Sequence, residues 1–71
     1  LYVVSSYDTE DAITAYSYNG LRLWNVPFHA KILSWRIVDN YIFVFSKHRL
    51  GTRTYVTCLC AVTGELVWQR P

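Results

Sequence analysis

Apolar and polar positions come in short bursts along this chain, none long enough for a helix of several turns. Leu1–Ser6 (LYVVSS) is apolar and β-branched before it turns polar. Ala12–Tyr18 (AITAYSY), Leu21–Val26 (LRLWNV), Ile32–Val38 (ILSWRIV), Tyr41–Ser46 (YIFVFS), Thr54–Cys60 (TYVTCLC) and Glu65–Gln69 (ELVWQ) are similar runs rich in Val, Ile, Thr and aromatics. Such residues favour strands, and turn signals separate the runs. Tyr7–Asp11 (YDTED) is a polar acidic loop. Asn19-Gly20 is a hairpin signal that predicts a type I′ turn, with positive φ at both residues. Pro27, which cannot donate to a ladder, predicts the end of the third strand, and a connection begins at Phe28. Asp39-Asn40, the basic loop Lys47–Arg53 and Val62-Thr63-Gly64 complete the turns. The expectation is an all-β chain of seven short strands. Tyr41–Phe45 is apolar on both faces, so its sheet is expected to be covered on both sides.

The runs repeat. Gly20 and Gly64 are 44 residues apart, as are Trp24 and Trp68, while Leu1–Ser6 aligns with Ile42–Lys47 at an offset of 41. Insertions belong in loops, and the longer Lys47–Arg53 loop is expected to absorb the difference. A period of 40 to 45 residues holding four strands is the blade unit of a β-propeller. The expected architecture is four-stranded antiparallel blades: residues 1–26 a partial blade of three strands, residues 27–71 a complete blade of four. Each repeat places a Gly in a turn and a Trp four residues later. Gly takes positive φ without steric cost, and the Trp can cover a neighbouring sheet while its N–H finds a backbone carbonyl. Gly20, Trp24, Gly64 and Trp68 are therefore the expected docking residues.

Cys58-Leu-Cys-Ala-Val-Thr-Gly-Glu-Leu-Val-Trp68 resembles the tryptophan-docking motif of the PQQ-like (quinoprotein-type) β-propellers, small-x-Asp-x-x-Thr-Gly-x-x-x-Trp. Thr14-Ala-Tyr-Ser-Tyr-Asn-Gly-Leu-Arg-Leu-Trp24 is a looser copy. Both depart from the motif: Thr14 and Cys58 stand at the small position, and Tyr16 and Cys60 replace the Asp. WD-type and other propeller blades are the rival assignments. The PQQ-dependent dehydrogenases of that superfamily hold their quinone with a stacked Trp, a vicinal disulfide and a calcium ion. This chain has no adjacent cysteines and no assignable set of Glu, Asn and Asp ligands. The resemblance therefore implies a non-catalytic scaffold without a cofactor. Its expected partners are other propeller blades, in the same chain or an oligomer, together with a protein partner.

Composition narrows the alternatives. Of 71 residues 52% are hydrophobic and 17% aromatic, against 17% charged, which excludes a disordered tail. A net charge of +2 is too small to imply a nucleic-acid or membrane-surface partner. No apolar run approaches the 18 residues of a transmembrane helix. The chain has no Met and starts inside a strand pattern, which reads as a piece of a longer protein. Cys58 and Cys60 share one face of a strand and read as small thiols rather than a metal pair, since Cys-x-Cys lacks a second pair. His29 lies in a Pro-Phe-His connection and reads as a packed or solvated linker residue, and His48 has no acid or nucleophile near in sequence. Lys47, His48, Arg49 and Arg53 form a hairpin tip that discourages edge pairing or serves as a contact loop for an acidic protein or a phosphate backbone. Two other readings stay open: a piece of a PQQ-dependent quinoprotein oxidoreductase, and a small autonomous β-sandwich binding domain.

Overall fold

A computed structural model describes residues 1–6 and 10–71. Most of the acidic loop expected at Tyr7–Asp11 lies outside them. The chain is all-β, with strands β1 (Tyr2–Ser6), β2 (Asp11–Tyr16), β3 (Arg22–Phe28), β4 (Lys31–Val38), β5 (Tyr41–Lys47), β6 (Thr54–Cys60) and β7 (Leu66–Arg70). They form two antiparallel sheets, β1-β2-β3 and β4-β5-β6-β7, each in chain order.

All the strand limits follow the residue pattern within two positions, and the differences have local causes. β3 runs through Pro27, which lies opposite Ala12, to Phe28 opposite Asp11. β3 is the last strand of its sheet, so the missing N–H of Pro27 leaves no ladder partner unsatisfied. β3 thus ends at Phe28 and β4 begins at Lys31, so His29 and Ala30 link the two sheets. The turn at Asn19-Gly20 is not type I′, because only Gly20 has positive φ, at 84°. The chain makes a wider turn instead. The Gly20 amide donates to the Ser17 carbonyl at 3.1 Å and the Ser17 amide to the Leu21 carbonyl at 2.9 Å. The Ser17 hydroxyl also accepts from the Leu21 amide at 3.2 Å, so Ser17 anchors the turn from both its backbone and side chain. Asp39, in the two-residue turn between β4 and β5, adopts φ 54°. Aspartate tolerates that region better than most side chains.

The sheets stack face to face. Tyr2, Val4, Ile13, Ala15, Trp24, Val26 and Phe28 share one face of the first sheet by their register. Against it the second sheet turns Ile32, Trp35, Ile42, Val44, Leu59 and Ala61, with Ile13, Ile42 and Val44 fully buried.

The register repeats from sheet to sheet. Tyr2, Ala15 and Trp24 lie side by side in the first sheet, as Phe43, Cys58 and Trp68 do in the second. Both rows are followed by the same irregularity, which makes Leu23 and Val67 the bulged residues. Asn25 Nδ2 donates to Thr14 Oγ1 at 2.7 Å, and Gln69 Nε2 to Thr57 Oγ1 at 2.8 Å, at matching places. Ala15, not Thr14, is thus the counterpart of Cys58. The extra length of the second unit is also divided. Two residues lie in the loop between β5 and β6, and one in the turn before Gly64.

Candidate functional site

The contact that joins the sheets is built on Trp24 and the turn after β6. Cys60 opens that turn: its carbonyl accepts from the Gly64 amide at 2.7 Å and its amide donates to the Glu65 carbonyl at 2.8 Å. The Ala61 amide donates to Asn40 at 2.8 Å, tying the turn to the one between β4 and β5. Gly64 has φ 78°, a conformation that L side chains rarely adopt. The indole of Trp24 lies on it so closely that a Cβ there would meet the ring at 2.7 Å. Trp24 Nε1 donates to the Ala61 carbonyl at 3.1 Å, and the Tyr2 hydroxyl donates to the same oxygen at 3.2 Å. The Tyr2 ring also sits 5.9 Å from that of Trp24 and 6.2 Å from that of Trp35, within the range of tilted aromatic contacts. A Gly at this point is thus required twice, once by the backbone and once by the indole.

A second contact crosses between the sheets. Asp11 opens β2 instead of lying in a loop, and its side chain is only 4% exposed. One carboxylate oxygen accepts from Arg49 Nη2 at 2.8 Å and the other from the Ile32 amide at 2.8 Å. Both bonds are charge-assisted, as a buried carboxylate requires. Sequence reasoning missed this latch because its partners are 38 residues apart. The only signal was an acid beside an apolar run and an arginine in a basic loop.

The latch changes the contact loop. Arg49 is committed to Asp11, and His48 Nδ1 accepts from the Leu50 amide at 3.2 Å. Lys47 and Arg53 remain exposed at the loop's two ends. His29, in the link between β3 and β4, is exposed with Nδ1 3.6 Å from Glu10. Both histidines border an open cleft of about 450 Å³ that also takes in Ser46, Tyr55 and Leu66. No group of three or more His, Cys, Asp or Glu residues converges among the described residues. Both cysteines are free thiols. Burial, reinforced by the nearby Cys60, pushes the Cys58 thiol up from its ordinary value. Hydrogen bonds from the Thr63 hydroxyl, then from the Thr63 and Val62 backbone, pull Cys60 down.

The remaining two docking residues are placed differently. Trp68 is 37% exposed, with the Phe43 ring 6.1 Å away and the Arg70 guanidinium 5.6 Å over its indole. A Cβ built on Gly20 would meet nothing within 4 Å. Of the four, then, Trp24 and Gly64 meet each other, while Gly20 borders open space and Trp68 lies on the outer face of β4–β7. No described helix is long and apolar enough to cross a membrane. Compared with family models, with curated proteins and with solved structures, the chain matches none.

Proposed function

We propose that this chain is a structural and protein-interaction segment of a PQQ-like β-propeller: one partial and one complete blade, acting as a non-catalytic scaffold. The observation that carries this reading is the indole of Trp24 seated on Gly64, with its N–H on the Ala61 carbonyl. The repeated register supports it further, because the second sheet presents outward the row that the first presents inward. A self-contained sandwich turns its two apolar faces toward each other and leaves polar faces outside. Here Tyr41, Phe45 and Trp68 on the outer face of β4–β7 are all partly open to solvent. Two sheets therefore satisfy only one side of the second.

Extending the stack tests this. When one, two and three further copies of residues 29–71 are appended to the chain, each copy closes another joint. The urea midpoint then rises with copy number while unfolding stays a single transition, as nearest-neighbour coupling requires. Units that unfold independently at an unchanged midpoint reject the blade reading. The oxidoreductase alternative makes a separate demand: PQQ and Ca²⁺ together give protein-bound quinone absorbance. The scaffold reading expects none.

A further inference from the structure

The two ends of this stack are the separated halves of the contact closed inside it. The outer face of β4–β7 carries Phe43, Phe45, Val56, Cys58 and Trp68 where the inner face of β1–β3 carries Tyr2, Val4, Ile13, Ala15 and Trp24. The outer face of β1–β3 carries Val3, Ser5 and Thr14 where the inner face of β4–β7 carries Val44, Ser46 and Thr57. Those last three are buried at the existing joint, with exposures of 2% or less. Gly20 has the positive φ of Gly64 and open space where Gly64 has an indole. Trp68 has the place of Trp24 and no turn to rest on.

We propose that the chain binds a second copy of itself head to tail, the outer face of β4–β7 on the outer face of β1–β3, with the Trp68 indole against the Gly20 turn. The proposal rests on the stacking reading above and names its partner. Charge favours the second copy: apart from the Asp11–Arg49 pair, which is satisfied within the chain, residues 1–28 hold one arginine against two acids, and residues 29–71 hold five basic residues against two acids. The exposed surface agrees. The chain exposes 5130 Å², whereas a compact monomer of this length exposes about 4,600 Å². Until the partner arrives, Arg70 shields one face of the Trp68 indole. Because the two surfaces differ, the contact is heterologous, and repeated addition yields a ring or a filament rather than a two-fold dimer.

Sedimentation velocity of the 71-residue chain, from low-micromolar to near-millimolar concentration, reads this directly. The wild type grows in mass with concentration, and added salt weakens the growth. Trp68→Ala removes one half-joint; Gly20→Asn blocks the other with a residue that tolerates positive φ. Each variant alone loses self-association by about 30-fold or more, the loss typical of a central aromatic anchor. Mixed, they form a one-to-one pair and stop, since each retains the half that the other lacks. That pairing also certifies that both variants are folded. A wild type that stays monomeric overturns the proposal and leaves the blade reading to the appended copies, whose joints are intramolecular. A dimer that survives Gly20→Asn overturns it as well, as does a mixture that fails to pair.

Discussion

Trp24 and Trp68 occupy equivalent places in the two sheets, each beside an aromatic ring, yet only Trp24 meets a second sheet. Trp24 has a glycine beneath its ring, a carbonyl for its N–H and a tyrosine at its side. Trp68 has Phe43 and Arg70 from its own sheet and is otherwise open. Local sequence does not make the difference, since both follow a turn glycine by four residues. What differs is whether a second sheet stands in front. A tryptophan at this position is therefore a surface feature of its own sheet and becomes core only when a neighbour supplies the turn. The same holds for the glycines: Gly64 is crowded and Gly20 is open, with nearly the same φ.

The sharpest way to break this comparison is to truncate each indole in dilute, monomeric solution. Trp24→Ala opens the core between the sheets and leaves the Ala61 carbonyl with Tyr2 as its remaining side-chain donor. Its cost is expected at about 3–5 kcal/mol, the range for large aromatic truncations. For a chain this short that consumes most of the folding free energy. Trp68→Ala loses a half-exposed ring, one aromatic pair and one cation–π contact, together about 1–2 kcal/mol. Urea denaturation followed by circular dichroism measures both. Equal costs would mean that the two environments are energetically alike and that the closed joint carries no special weight.

The glycines sharpen the comparison by one atom. An alanine at either site pays for positive φ, about 1–2 kcal/mol. At Gly64 it also drives a methyl to 2.7 Å from the Trp24 ring, and relieving such overpacking typically costs a further 1–3 kcal/mol, taken as about 2 here. Gly64→Ala is therefore expected to be more destabilising than Gly20→Ala. In a Trp24→Ala background the excess should vanish, because the clashing ring is gone. An excess that persists would place the strain in the backbone and not in the indole contact.

Seven strands and the repeat were legible because period-2 burial and turn residues are local signals. Trp24 and Gly64, which meet each other, stand out in the sequence because Gly and Trp are chemically distinctive at a fixed spacing. Four things were not legible. Pro27 does not stop β3, since the edge position of a strand depends on what pairs beyond it, which local sequence does not encode. The Asn19-Gly20 pair predicts a two-residue turn, but the competing bonds at Ser17 favour a wider one. The Asp11–Arg49 latch depends on two sheets being stacked first, so neither residue's neighbours announce it. The spacing alone puts the extra three residues of the second unit in one loop, and only the register divides them between a loop and a turn.

The smallest effect is a chemical one, and it reads the open end. Cys58 lies beside Trp68 and Phe43 on the outer face of its sheet and is 2% exposed. Cys60 is partly exposed, and the Thr63 hydroxyl and neighbouring amides favour its thiolate. Only the thiolate reacts with an alkylating reagent. Near neutral pH iodoacetamide should therefore modify Cys60 first. Its rate should level off at lower pH than for an ordinary thiol, because a lowered value is passed sooner as pH rises. Cys58, held protonated by burial, should react slowly and keep gaining rate above the ordinary thiol range. Trp68→Ala strips its cover and should speed Cys58 labelling several-fold, while Cys60 changes little. Mass spectrometry of the labelled chain separates the two sites. If Trp68→Ala leaves the Cys58 rate unchanged, the indole does not lie over that face, and the open half-joint loses its geometry.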